Sequence, residues 1–347
     1  MSWTTIWAEG HAIRMPRTPL DTALRAMTLW LELTGPRRPP HRRGQAADVP
    51  LRLWRGQAGD TGSAIQLYLM SDNALRLVHG EIDLCTSPDM LRPGETIGLR
   101  YVACHEGRRD VLEVTNYDQG QSQSLRAGLA QTARVSDATP ADDGYLNVAH
   151  IAAIAPCVVP ATDLPGIESG AVVATAQGPR PVDALREGDL LLDDSGATHP
   201  LRWIEARTRL CMGRTAPMRL RAPYFGLARD LVVTPQTRLL QSGPVVDYLC
   251  GTEAVLANAR DLANGRAVFR DRDKPVRTFF HMMLDDPTCI IVENCPIETA
   301  HLGDVMALAD PQVGLAAAPS ARDTTPSLPL LDRATARALL TANSRAA

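Results

Sequence analysis

The chain has 347 residues, enough for two domains of ordinary size. Its 36 basic and 39 acidic side chains leave a formal charge of −3, without the basic excess by which nucleic-acid binders neutralise phosphate. A hydrophobic fraction of 45% beside 22% charged residues excludes wholesale disorder.

The opening Met1-Ser2-Trp3-Thr4-Thr5-Ile6-Trp7 has no basic start followed by an apolar stretch, so no standard signal peptide is read. The expectation is a cytoplasmic protein or one exported by a signal-independent route. The longest uncharged run, Tyr145 to Thr162, contains Asn147, His150, Pro156 and Pro160, and does not read as a transmembrane segment. The cysteines number 7, and none shows C-x-x-C spacing. They read as buried thiols, without a zinc site or a disulfide framework.

Helical patterns are scarce. Met27, Leu29, Leu31 and Leu33 alternate, which predicts a half-buried strand over 26–33. Gly35 to Gly44, with three prolines and four arginines, reads as an exposed loop. Strand signals then recur at Leu51–Arg55, Ile65–Leu69, Leu75–Val78, Glu81–Cys85, Thr96–Cys104 and Val111–Tyr117, with turns between them. Short strands at such intervals predict an antiparallel β-sandwich. Residues 133–165 read as a connector containing the polar stretch Ser136 to Gly144. A second run of strand signals covers about 166–309. Pro311 to Ser327 is rich in Ala, Pro, Ser and Thr and reads as flexible, with one short helix expected over Leu328–Leu340. The expected organisation is therefore a first domain over 1–150, a linker over 151–165, a second domain over 166–309 and a tail over 310–347. The second core is expected to include Val172, Leu185, Leu190, Trp203, Val232 and Leu239.

Two resemblances follow. The run Leu91-Arg92-Pro93-Gly94-Glu95-Thr96-Ile97-Gly98-Leu99-Arg100-Tyr101, with the return strand Val111–Tyr117, resembles the concanavalin-like (laminin-G-like) jelly roll of bacterial surface proteins. It implies a lectin-like sandwich, while the partner stays open between a protein and a glycan ligand. The second block starts Gly166-Ile167-Glu168-Ser169-Gly170-Ala171-Val172-Val173-Ala174-Thr175 and runs to Leu192. It continues in Leu201–Ile204, Asp230–Leu240, Asp261–Gly265 and Phe280–Asp285, and ends at Pro296–Thr299. This ordered set resembles the Hint domain of inteins and hedgehog autoprocessing proteins, in its bacterial subgroup. The resemblance implies an all-β horseshoe fold without cofactor or metal.

Hint chemistry needs an N-terminal Cys or Ser that attacks the preceding carbonyl, and a Thr-x-x-His motif that polarises the bond and protonates the leaving amine. By the resemblance, the nucleophile's place is Gly166, Thr234 keeps the motif threonine, the motif histidine's place is Thr237, and a later histidine's place is Pro287. His281 remains. Cys157 reads as a buried apolar residue, Ser169 as a local hydrogen-bonding residue, and Asn294-Cys295 as a hairpin turn. Asp193-Asp194 and Asp285-Asp286 read as loop charge beside turns. No residue is given a catalytic role, and no metal ligands are read. The leading expectation is a degenerate, non-catalytic Hint domain acting as a scaffold or interaction module. The rivals are an active self-processing protein and a surface protein whose N-terminal sandwich binds carbohydrate or protein.

Overall fold

The structure is a computed structural model that describes residues 3–14, 20–37, 49–57, 63–104, 109–141, 148–160, 164–307 and 324–346. It is mostly strand, in antiparallel sheets, and divides into two units, Met1–Ala161 and Thr162–Ala347. The expected loop beyond Arg37, the turn at 106–108 and the tail over 311–323 lie outside the described residues. Among the described residues no helix is long and apolar enough to cross a membrane.

The first unit pairs a seven-stranded sheet with a four-stranded one. The larger runs Gln121–Arg126, Val111–Asn116, Thr96–Cys104, Ala26–Thr34, Ala149–Ala155, Thr5–Ala8, His11–Arg14. The smaller runs Leu51–Arg55, Gln66–Leu69, Leu75–His79, Ile82–Cys85. Their facing side chains form one core, in which Met27, Leu29, Leu31 and Leu33 from one sheet join Leu67, Leu69, Leu75 and Leu77 from the other. Burial alternates with period two along Gln66–Leu69 and Leu75–His79, whereas Ala26–Thr34 is buried on both faces.

The connector reading is corrected. Ala149–Ala155 is a strand in the interior of the larger sheet, paired on one side with Ala26–Thr34 and on the other with Thr5–Ala8. Ile151 to Ala155 are all buried. This strand shows no alternation, and its alanines carry little strand propensity, so the sequence reads as linker. The short helix Val135–Ala138 is likewise buried. A fragment ending at residue 150 is therefore expected to aggregate, because it leaves two strands without their shared neighbour. A fragment ending at 161 is expected to stay monomeric and β-rich by size exclusion and circular dichroism.

The second unit has two six-stranded sheets around one core. The first orders Trp203–Leu210, Val276–Met283, Ile167–Glu168, Leu231–Val233, Met218–Leu220 and Val268–Arg270. The second orders Arg180–Pro181, Val172–Val173, Cys289–Val292, Cys295–Glu298, Arg238–Ser242 and Ala254–Asn258. Leu185 and Leu239 lie in the main core as expected, whereas Trp203 and Val232 are buried in two smaller clusters beside it. Leu190 is not buried: it is 45% exposed, while Leu191 is fully buried. Val172 is half-buried beside the fully buried Val173. In short apolar runs the pleat can be read one residue out, and that slip exchanges the two faces.

The tail reading is corrected in part. Pro329 stands before the helix, which starts later than expected and spans Arg333–Ala346. Its Ala336 and Leu339 are fully buried, so this end of the chain is packed.

Candidate functional site

The Ile167–Glu168 strand is held between Leu231–Val233 and Val276–Met283: Ile167 pairs with Val233 on one side and Phe280 on the other. That pairing brings Leu164, Pro165 and Gly166 between the residues following Val233 and the residue following Phe280. After Val233 the chain turns through Thr234-Pro235-Gln236-Thr237, closed by Thr237 N–H donating to Thr234 O at 3.0 Å. Proline at the second position presets this turn. The turn sets the two threonine hydroxyls 3.0 Å apart, both fully buried.

Gly166, Thr234, Thr237 and His281 therefore converge. Thr234 N–H donates to Gly166 O at 2.9 Å, and Thr234 Oγ1 donates to Leu164 O at 2.8 Å. Gly166 N–H donates to Thr237 Oγ1 at 3.1 Å, and Thr237 Oγ1 lies 3.0 Å from Gly166 O. His281 Nδ1 lies 2.9 Å from Pro165 O. A carbonyl only accepts, so Nδ1 carries the proton, which fixes the tautomer. The Pro165–Gly166 peptide is thus bonded at its oxygen by imidazole and at its nitrogen by a hydroxyl.

Gly166 matters for its lack of a side chain. A Cβ built there would lie 2.5 Å from His281 Nδ1 and 2.7 Å from its Cε1. The imidazole fills the volume that a side chain at 166 would need. The φ of Gly166 lies outside the left-handed region, so space and not backbone conformation demands the glycine.

Burial pushes the His281 pKa from 6.5 down to about 3. The bond to Pro165 opposes the fall, and the Arg207 and Arg209 charges add to it. The ring is neutral near pH 7 and donates a hydrogen bond to the Pro165 carbonyl. A depressed histidine stabilises the fold fully above the unfolded pKa, and this is lost as pH falls from about 6.5 toward 3. Stability is expected to drop by about 1.4 kcal/mol per pH unit from this group alone below pH 6. His301, also lowered mainly by burial, acts in the same direction. Urea unfolding at pH 7, 6, 5 and 4.5 checks this, and His281→Asn should flatten the slope by about one proton's worth.

The other candidates are engaged elsewhere. Ser169 Oγ donates to Asp183 at 2.7 Å, and Gly170 N–H donates to the same carboxylate. Asn294 has φ 68° in the turn joining Cys289–Val292 to Cys295–Glu298. Cys295 is buried, and burial pushes its thiol up to about 12, leaving no thiolate at neutral pH. Cys157 belongs to the first unit, where its carbonyl accepts from Thr28. Pro287 follows Asp285, which pairs with Arg202 in an exposed salt bridge. Asp193 accepts from Ser195 and Ala197 and pairs with His199, the local role of a turn carboxylate. Among the described residues no group of three or more His, Cys, Asp or Glu could hold a metal ion.

One feature beside the site escaped the sequence reading. Arg238, next to Thr237, turns into a buried ionic cluster. It pairs with Glu298, bonds Asp304 in bidentate fashion at 2.9 and 2.7 Å, and donates to Thr299 O at 3.2 Å. Glu298 and Thr299 also line a small cleft with Pro165, Gly166, Phe280 and Ala300. A lone arginine after a motif threonine offers no sequence signal of partners some 60 residues away.

The site is thus a gripped peptide bond at the start of the second unit. Residues 165–304 match the family model of the Hint domain. No curated protein matches the chain. Among solved structures, CBM40 of the Ruminococcus gnavus IT-sialidase, bound to alpha2,3 sialyllactose, is 13% identical. It covers 40% of this chain and 78% of its own, with a TM-score of 0.27. Lectin II from Ulex europaeus is 9% identical, over 44% of this chain and 68% of its own, at 0.22. The LG1-3 region of the laminin alpha2 chain is 8% identical, over 86% of this chain and 63% of its own, at 0.25. These likenesses are faint, and the first unit's architecture rests on its own sheets.

Proposed function

We propose that the second unit is a Hint domain that does not process itself and serves as a scaffold or interaction module. The observation that supports this reading best is the His281 ring lying where a nucleophile's Cβ would stand. An amide is a poor acyl donor, and its cleavage needs an attacking thiol or hydroxyl and a group that changes protonation near pH 7. Glycine supplies no attacking atom. Thr237 offers a hydroxyl that is already committed to both polar atoms of Gly166. His281 is neutral and tied to the Pro165 carbonyl. The grip retained on the peptide bond anchors the start of the unit.

Intact mass tests this. Full-length protein held for days at pH 6–8.5, with and without dithiothreitol or hydroxylamine, is expected to keep its full mass. A fragment ending at Pro165 whose appearance depends on His281 would overturn the reading and restore the self-processing enzyme.

A further inference from the structure

The chain continues beyond the matched segment. Residues 324–346 lie past position 304 and pack onto the second unit with contacts like those of a bound peptide. Ser327 donates both its N–H and its Oγ–H to one oxygen of Glu298, each at 2.6 Å. Leu256 N–H donates to Pro329 O at 2.9 Å, and Leu331 N–H donates to Leu256 O at 2.8 Å. Leu330 thereby forms a parallel bridge with Leu256. Leu256 sits on Ala254–Asn258, the outer strand of its sheet, so the bridge covers an edge otherwise open to pairing.

The helix follows at once. Asp332 accepts from Thr335 N–H at 2.8 Å, capping Arg333–Ala346. Ala336 then enters the main core, and Leu339 packs with Val246 and Val255. Backbone bonds to a sheet edge combined with side chains in pockets are the elements of recognition by strand addition. Residues 308–323 join this segment to the Leu302–Ala307 helix. A stretch of that length can span ~50 Å when extended, enough to reach a neighbouring molecule.

We propose that the edge of Ala254–Asn258, the Glu298 carboxylate and the slot beside Val246 and Val255 form a peptide-acceptor site. It is filled in cis by residues 324–346 and takes the same segment of a second copy of this chain in trans. The ligand it fits has a serine donating twice to a carboxylate and an extended Pro-Leu-Leu piece. A capped helix with Ala and Leu three positions apart completes it. The proposal is independent of whether the Pro165–Gly166 bond can react.

The test uses the full chain with a specific protease sequence inserted after Gly314, purified folded and then cut. A fluorescent synthetic peptide of residues 324–347 is added to the cut protein and followed by size exclusion and anisotropy. The peptide is expected to displace the resident fragment and travel with the protein. Ser327→Ala in the peptide should weaken binding about tenfold, since the Oγ–H bond to a charged acceptor is lost while the backbone N–H bond remains. Leu339→Ala should weaken it at least about thirtyfold. If the cut protein keeps its circular dichroism yet never takes up the peptide, or takes up the doubly substituted peptide equally well, the proposal is overturned.

Discussion

Gly166→Ala is expected to destabilise the second unit by about 3 kcal/mol, and replacing His281 as well is expected to return part of that loss. The added methyl cannot coexist with an imidazole nitrogen 2.5 Å away. Overpacking a buried site costs about 1–3 kcal/mol. Pushing the ring aside also breaks its bond to the Pro165 carbonyl, and a buried acceptor left unpaired costs about 1–3 kcal/mol more. His281→Ala alone should cost about 2 kcal/mol through the same lost bond and the hole left behind. In the double variant the methyl occupies part of that hole. The two changes should therefore be non-additive by about 2 kcal/mol in a urea-unfolding cycle. Strict additivity would mean that the ring does not hold the space at position 166. Restoring a cysteine there consequently requires a smaller residue at 281 as well as a histidine at 237.

Arg238→Met is expected to cost about 3–5 kcal/mol, a further large effect. The guanidinium is 5% exposed and is shared by Glu298, Asp304 and the Thr299 carbonyl. Its removal strips both carboxylates of their arginine partner, and breaking one side of a buried ion pair typically costs this much. Adding Glu298→Gln should recover a measurable part. Arg202→Met serves as the control. Its pair with Asp285 has both side chains about half exposed, and such surface pairs contribute about 0–1 kcal/mol. Equal losses in the two variants would contradict the buried-cluster account.

The sandwich was legible wherever apolar residues alternate with other residue types along a strand. Met27 to Leu33 and Thr96 to Cys104 alternate in sequence and form strands as read, but they are buried on both faces and not half-buried. It was illegible where that alternation disappears. Gln121–Arg126 at the sheet edge is polar but for Leu125, and Ala149–Ala155 inside it is apolar but for His150. The hairpin Thr5–Ala8 to His11–Arg14 did leave a signal in Glu9-Gly10, both at positive φ, which suits a two-residue turn.

At the site, the ordered motif blocks singled out Gly166, Thr234 and Thr237, which flank short strands, and His281, which lies within Val276–Met283. What they could not reveal is that the His281 ring fills the missing side chain's volume. That depends on a distance across strands more than a hundred residues apart in sequence. The docking of Ser327 onto Glu298 was hidden for the same reason: a serine in an Ala/Pro-rich stretch has no period to announce a partner.

The place of Ala149–Ala155 in the larger sheet also bears on how the first unit is made. Its strand lies between Ala26–Thr34 and Thr5–Ala8, so one border of each early strand waits for the last strand before its hydrogen bonds can close, while the other pairs with His11–Arg14 or Thr96–Cys104. At about 5–20 residues per second, the delay between residue 34 and residue 155 is on the order of ten seconds. Throughout that interval Leu29, Leu31 and Leu33 stand on a nascent strand with an unpaired border. Sheets dominated by such distant pairings also close slowly, in about milliseconds to seconds. Translation speed over this stretch, and the chaperones met there, therefore bear on the yield of folded protein.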